Sequence, residues 1–220
     1  MYISDGVIRE KLKNVYFIWG RGKTTIANKL KEKYGFYIYS TDESRERQML
    51  VANPVDQPYM CRDYMKEHNV KSFWELPKEV IADREKHFLC EVTPMIITEL
   101  IQLSAIHDVI ICEGDIDYRA VNAIATHTIY LCGKSDTFDW FNRPDHDDVK
   151  AELELRTDLT ELEKQAIVDN AYSAVAGNEG VIPDWVNELG VMVVIWDDNK
   201  SIEKTAEEVV SYFGFTKVVK

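Results

Sequence analysis

One short stretch near the N-terminus limits what this chain can fold into. Residues 15–30 read VYFIWGRGKTTIANKL, an apolar run followed by two glycines and by a segment with apolar residues at helical spacing. An apolar strand, a glycine turn and Gly-Lys-Thr at the start of a helix form the layout of a phosphate-binding loop. In such a loop, backbone N–H groups, the positive end of the helix and a lysine bind the anion. The stretch therefore predicts a strand–loop–helix unit that binds a phosphate group.

The predicted loop is shorter than usual. The common pattern G-x-x-x-x-G-K-[ST] has about four residues between its glycines, whereas Arg21 alone separates Gly20 from Gly22 here. A shorter loop offers fewer backbone amides to a phosphate, and the guanidinium of Arg21 has donors that could replace them. The alternative is a tight turn in which Lys23 and Thr24 occupy the first helical turn by chance.

The order of predicted elements is that of an α/β protein. The apolar pattern predicts strands over residues 14–19, 36–40, 108–114, 127–133 and 191–198, with helices over 23–34, 118–125 and 201–213. The run 108–114 is almost continuously apolar, as expected for a strand buried on both faces. Alternating strands and helices favour a three-layer α/β/α fold with a five-stranded parallel sheet. We expect one domain over residues 1–220, with helical insertions at 44–104 and 135–180.

Charge and composition exclude several classes of partner. The net charge of -12 argues against nucleic acid or an anionic membrane as the main partner, because both require a basic face. No window approaches the about 18 apolar residues of a membrane span, and the first residues have no signal-peptide pattern. The four cysteines are scattered, without a C-x-x-C pair, which fits a reducing compartment and predicts a cytoplasmic protein. The sequence carries no signal for the oligomeric state.

Acidic residues follow two of the predicted strands. Ligands of parallel α/β sheets bind at the carboxyl ends of strands, where Asp42 follows the second strand and Glu113 ends the third. A carboxylate at the end of a buried strand is costly unless it has a partner, which favours a functional role for Glu113. Asp42 could instead cap the following helix, and Asp115 could share the role of Glu113 or be solvated.

These motifs carry a family resemblance. The segments GRGKTT, STDE and CEGD, together with the polar segment around NRP at 142–144, resemble those of the small P-loop kinases of the nucleoside-monophosphate kinase and shikimate kinase group. The resemblance implies that ATP and Mg2+ are used, with a nucleoside triphosphate and a small-molecule acceptor as partners. It implies that Lys23 and Asp42 are catalytic and that Mg2+ is held by Thr24, Asp42 and Glu113. The nucleotide-binding residues implied are Gly20, Arg21, Gly22, Lys23, Thr24 and Thr25.

The resemblance also assigns the two insertions. Residues 44–104 would bind the acceptor, with Arg45, Arg62 and Asp115 as substrate-binding residues and Arg47 close to them. Residues 135–180 would form a lid with only two arginines, of which Arg143 is the catalytic candidate. Surface salt bridges are the alternative role for both lid arginines, Arg143 and Arg156.

The function implied is phosphotransfer from ATP to a small cytoplasmic metabolite or nucleotide. We expect weak activity, because the short loop and the arginine-poor lid both remove positive charge or donors from the γ-phosphate. The alternatives are a nucleotide-binding protein without phosphotransfer and a P-loop NTPase or toxin-like kinase. Trp19 lies where such loops usually begin with glycine, and we expect its indole to fill space left by the short turn.

Overall fold

The chain forms a five-stranded parallel sheet with helices on both faces. The computed structural model describes residues 5–134, 147–175, 182–197 and 199–215. All neighbouring strands are parallel, in the order β2-β3-β1-β4-β5. This arrangement confirms the predicted α/β fold and its five parallel strands. The strands are β1 (Val15–Gly20), β2 (Tyr37–Ser40), β3 (Ile110–Glu113), β4 (His127–Lys134) and β5 (Met192–Asp197).

The helices occupy the segments between and around the strands. The predicted helix over 23–34 has these bounds in the structure, and it ends where Gly35 adopts a left-handed conformation with φ 71°, as glycine does at helix ends. The helices described are α1 (Asp5–Lys11), α2 (Lys23–Tyr34), α3 (Thr41–Val51), α4 (Pro58–Cys61), α5 (Tyr64–His68), α6 (Lys78–Leu103), α7 (Tyr118–Ile124), α8 (Asp147–Leu155), α9 (Glu161–Val175), α10 (Asp184–Glu188) and α11 (Ile202–Phe213), with a 3-10 turn at Phe73–Glu75. None of these helices has the length and apolar character needed to span a bilayer.

Successive side chains of β1 pack into the core on opposite faces of the sheet. Phe17 and Trp19 are buried under α6, α7 and α10, whereas Ile18 is buried under α2 and α11. This alternation follows from the two-residue period of a strand. All four residues of β3 are buried, because this strand lies between β2 and β1 and is covered on both faces.

The topology brings the predicted site residues to one edge of the sheet. After β1 the chain continues to β2, on one side of the sheet's centre. After β4, the neighbour of β1, it continues to β5, on the other side. Such a divergence opens a crevice at the carboxyl ends of the strands, where ligands of open α/β sheets bind. The segments that follow β1, β2 and β3 all begin at this edge.

The described part of the predicted lid packs against the predicted acceptor region. Helix α9 contacts α6 and the turn at Phe73–Glu75, and Asn170 donates hydrogen bonds to the carbonyl oxygens of Trp74 and Leu76. Arg156, just after α8, forms ion pairs with Glu75 and Asp158. Arg156 therefore makes the salt bridges that were the alternative to a lid role.

Candidate active site

The turn between β1 and α2 is held in place by the neighbouring strands. The backbone N–H of Arg21 donates to the carbonyl oxygen of Leu131 on β4, at 2.9 Å, and the indole Nε1 of Trp196 on β5 donates to the carbonyl oxygen of Arg21, at 2.8 Å. Gly20 and Gly22 both have left-handed backbones, with φ of 86° and 84°. The amide of Arg21 is thus already engaged by the protein and does not point to a ligand.

The first turn of α2 is the part of this unit open to an anion. Its N-cap is Gly22, which contributes no side-chain hydrogen bond to the helix. The first N–H groups of a helix have no partner within the helix and carry its positive potential. Thr24 and Thr25 are exposed at this position, so a phosphate has access to the end of the helix.

The expectation that the indole of Trp19 fills the space at the short turn is wrong, because the indole that packs there is that of Trp196. A Cβ on Gly22 would lie 3.2 Å from Trp196 Nε1, so the indole packs directly on the turn. Trp19 is 1% exposed and lies on the opposite side of β1, 5.1 Å from the ring of Tyr118. The side chain of Trp19 points into the core because it shares a face of the strand with Phe17.

Thr24 and Glu113 meet at the carboxyl edge of the sheet. The Thr24 hydroxyl donates to Glu113 Oε2 at 2.8 Å, and Glu113 is 2% exposed. Burial raises the pKa of the Glu113 carboxyl, and hydrogen bonds from Ser40 and Thr24 together with the charge of Lys23 oppose the rise. The structure therefore brings a helix-terminal hydroxyl and a buried carboxylate into contact.

Lys23 lies among three carboxylates. Its Nζ is 3.6 Å from Asp115 Oδ1, and the charge of Asp115 raises the pKa of Lys23, with smaller contributions from Asp42 and Glu113. The charge of Lys23 in turn lowers the pKa of Asp115. Asp115 Oδ1 also accepts a hydrogen bond from the Tyr118 hydroxyl at 2.9 Å. Both members of the ion pair are thus held in their charged forms.

The segments after β2 and β3 are tied together by a close backbone approach. The Thr41 hydroxyl donates to the carbonyl oxygen of Asp115 at 3.1 Å. Gly114 has φ 121°, and a Cβ there would lie 1.9 Å from Thr41 Oγ1. Only glycine fits this position, and the contact fixes Asp115 relative to the start of α3.

The side-chain oxygens near Lys23 are of the kind that could hold Mg2+ together with a bound phosphate. Mg2+ is commonly held by one or two protein oxygens, with phosphate and water completing the shell, and Thr24 and Glu113 are such donors. Asp42 lies beside them but is about half exposed, with Oδ1 3.6 Å from Arg45 Nε. Within the described residues, no group of three or more His, Cys, Asp or Glu side chains is arranged to hold a metal ion by itself.

The predicted acceptor residues differ in their surroundings. Arg45 donates to Glu85 at 2.8 Å and lies close enough to Asp115 to lower the pKa of that carboxyl. Arg62 and Arg47 instead pair with Glu67 and Glu99, at 2.7 Å and 3.4 Å. Arg143 lies outside the described residues.

One residue near Arg45 was missed by sequence reasoning. Arg84 on α6 donates to Glu85 Oε2 at 3.1 Å, so the same carboxylate holds Arg45 and Arg84. Arg84 belongs to no motif, and its helix gives no indication of which element it faces. The one available signal is the spacing of Arg84 and Phe88, which places both on one side of a helix.

Comparisons with known proteins give little beyond these observations. No protein-family model and no curated protein sequence matches the chain. Among solved structures, it is similar to dephospho-CoA kinase from Campylobacter jejuni, with a TM-score of 0.38 and 12% identity over 92% of this chain and 96% of that one. An unliganded sugar kinase from Janibacter sp. HTCC2649 gives a TM-score of 0.34 and 11% identity over 93% and 95%. At these scores neither structure assigns a family or a substrate.

Proposed function

We propose that this protein is a P-loop phosphotransferase that slowly transfers the γ-phosphoryl group of ATP to a small acceptor. The contact between the Thr24 hydroxyl and the buried Glu113 carboxylate, at 2.8 Å, carries the proposal. A hydroxyl in the first turn of a helix next to a strand-terminal carboxylate is the pair with which P-loop proteins hold Mg2+·ATP. Lys23 is next to both groups, which supports the same function.

Each residue of the site has a role in this proposal. The uncapped amides of α2 and the ammonium of Lys23 bind the β- and γ-phosphates. Thr24 and Glu113 would hold Mg2+, which when bound neutralises charge on the phosphates. Lys23 leaves its ion pair with Asp115 in part when phosphate binds, because the phosphate oxygens compete for the same ammonium.

The acceptor proton goes to Asp42 in the proposed reaction. The acceptor oxygen forms a bond to the γ-phosphorus while the bond to the β–γ bridging oxygen breaks, and ADP leaves. A general base must accept the acceptor's proton. Asp115 is a poor base because Lys23 lowers its pKa, whereas Asp42 lies at the same edge with 54% of its side chain exposed.

The hydrogen bonds that hold the turn between β1 and α2 support slow turnover. The backbone N–H of Arg21 donates to the carbonyl oxygen of Leu131 and is therefore not available to bind the phosphates. In well-studied sites, removal of one preorganised donor to the reacting group costs about 10²–10³ in rate. The same observation favours the second candidate function, a nucleotide-binding protein without phosphotransfer.

The test is steady-state turnover of Mg2+·ATP on a panel of small acceptors with alcohol, carboxylate and phosphate groups. We expect phosphorylated product at less than about 1 per second, the lower end of the usual kinase range. Asp42→Asn should lower the rate further, by about 10²-fold or more, whereas Glu43→Gln, the next and likewise exposed residue of α3, should not. ADP formation without a phosphorylated acceptor would indicate an NTPase, and ATP binding without any turnover would favour the binding protein.

A further inference from the structure

A tyrosine that belongs to no motif shares one carboxylate oxygen with the lysine of the candidate active site. The Tyr118 hydroxyl donates to Asp115 Oδ1 at 2.9 Å, and the ammonium of Lys23 lies 3.6 Å from the same oxygen. Charge-assisted N–H···O hydrogen bonds are shorter, at about 2.7–2.9 Å. Tyr118 is thus the nearer partner of this oxygen, and Lys23 is paired with Asp115 by charge without a short hydrogen bond.

The backbone of Tyr118 is held at the start of α7. The side chain of Asp117 caps this helix by accepting from the backbone N–H groups of Arg119 and Ala120, both at 3.1 Å. The backbone N–H of Asp117 donates to the Thr93 hydroxyl of α6 at 2.9 Å. Because such a cap stabilises the first turn of a helix, the position of Tyr118 is set both within α7 and by α6.

The ring of Tyr118 packs against two indoles. It stacks on Trp185 of α10, with the ring centroids 4.4 Å apart and the planes 11° apart. It also contacts Trp19 of β1, at a centroid distance of 5.1 Å. Aromatic pairs at such separations stabilise each other, so the ring has little freedom to turn its hydroxyl away from Asp115.

The hydrogen bond from Tyr118 weakens the attraction of Asp115 for Lys23. It places a positively polarised hydrogen against Asp115 Oδ1 and takes up one of the lone pairs of that oxygen. Only 19% of the Lys23 side chain is exposed, so water competes little for its ammonium. The strength with which Asp115 holds Lys23 therefore depends on the tyrosine hydroxyl.

We propose that Tyr118 is a positioning residue that keeps the ion pair between Asp115 and Lys23 loose enough for Lys23 to bind a phosphate group. Without the hydroxyl, Asp115 holds Lys23 more tightly and competes with the phosphate for the same ammonium. Tyr118 acts on the ligand only through these two residues. The assignment of the ligand as the phosphates of Mg2+·ATP rests on the proposed phosphotransferase function, whereas the effect of Tyr118 on Lys23 does not.

The first measurement follows Lys23 itself and needs no nucleotide. The folded protein is treated briefly with acetic anhydride at one fixed pH, and mass spectrometry gives the acetylation of Lys23 relative to that of Lys29 on the same helix. Tyr118→Phe removes the hydroxyl but keeps the ring. It should slow the acetylation of Lys23 about twofold to tenfold, the effect of one hydrogen bond, because the tighter ion pair protects the amine. Asp115→Asn should speed it.

A double-substitution cycle separates positioning through Asp115 from a merely structural effect. In the Asp115→Asn background the carboxylate charge is gone, so Tyr118→Phe should leave the acetylation of Lys23 unchanged. Tyr130→Phe is the control, since it removes a hydroxyl from the same aromatic cluster, 5.6 Å from the ring of Trp185, and should also leave Lys23 unchanged. Thermal melts show whether each variant folds. If Tyr118→Phe does not fold, Tyr118→Met takes its place.

Three results of the labelling overturn the proposal. These are equal acetylation of Lys23 with and without the Tyr118 hydroxyl, an equal slowing in the Asp115→Asn background, and an equal slowing by Tyr130→Phe. Mg2+·ATP is titrated separately and should bind Tyr118→Phe about twofold to tenfold more weakly than the unsubstituted protein. Binding of ATP with equal affinity by both proteins would also overturn the proposal. Slower acetylation in Tyr118→Phe, with no ATP binding by either protein, would refute the phosphotransferase function while leaving the effect of Tyr118 on Lys23 intact.

Discussion

At the scale of single residues, Glu113 places an ionisable group where water has almost no access. Its carboxylate is 2% exposed and accepts from Thr24. Burying a charged group costs stability that hydrogen bonds only partly restore. Buried charges are paired or coordinate metals, which is the physical reason for assigning Glu113 to the metal side of the proposed site.

The burial of the Glu113 carboxyl leads us to predict how the stability of the protein depends on pH. Because burial raises the pKa of Glu113, the folded protein binds this proton more tightly than the unfolded chain does. The contribution of Glu113 is therefore most favourable below its ordinary pKa of 4.5 and is lost as pH rises through the folded-state value. The free energy of unfolding of the unsubstituted protein, relative to Glu113→Gln, should fall as pH rises above 4.5 in urea denaturation.

Glu67→Gln is the matched control for this measurement. A hydrogen bond from Arg62 lowers the pKa of Glu67, so the sign is opposite. The advantage of the unsubstituted protein over Glu67→Gln should be present above pH 4.5 and should disappear as pH falls through the lowered pKa. Parallel pH profiles for the two variants would contradict the account of Glu113.

At the scale of elements, the approach of the β3–α7 segment to the start of α3 sets the geometry of the site. Gly114 passes so close to Thr41 that a side chain has no room. The contact positions Asp115, and through it Lys23 and Tyr118, relative to the acidic start of α3. A change at this contact should therefore disturb several functional groups at once.

Gly114→Ala should destabilise the fold by about 3 kcal/mol or more, since the new methyl group clashes with Thr41 Oγ1 and the backbone has φ 121°. Gly35→Ala is the control, with φ 71° but nothing within 4 Å of a new Cβ, and should cost about 1–2 kcal/mol. Adding Thr41→Ala to Gly114→Ala should recover part of the loss. Equal costs for the two glycine variants in urea denaturation would refute the role of this contact.

At the scale of the whole molecule, much of the fold could be predicted from local patterns. Apolar runs such as 108–114 predict strands, and glycines such as Gly35 predict helix ends, because both depend on nearby residues. In a parallel sheet the strand ends share one edge, which predicts that Thr24 and Glu113 lie near each other. Their roles as magnesium ligands, and that of Asp42 as a base, stay predictions.

The features of the fold and of the site that local patterns do not predict depend on contacts between distant parts of the chain. The turn at Arg21 is held by Leu131 and Trp196, and no local pattern indicates which residues of β4 and β5 face that turn. Arg84 meets Arg45 only because α6 packs against α3. Sequence periodicity gives the side of a helix on which a residue lies, but not the residue it meets across the interface.

Binding of Mg2+·ATP at Lys23 tests the central claim most directly. Calorimetric titration should compare the unsubstituted protein with Lys23→Met and with Lys29→Met, a second lysine of α2 whose Nζ pairs with Glu32 and Glu203. Thermal melts without ligand confirm that each variant folds, and a rise in Tm with ATP gives independent evidence of binding. We predict that Lys23→Met loses about 1.5–3 kcal/mol of binding free energy and that Lys29→Met binds as the unsubstituted protein does. Equal affinity of all three proteins for Mg2+·ATP, or no binding by the unsubstituted protein, would contradict the account.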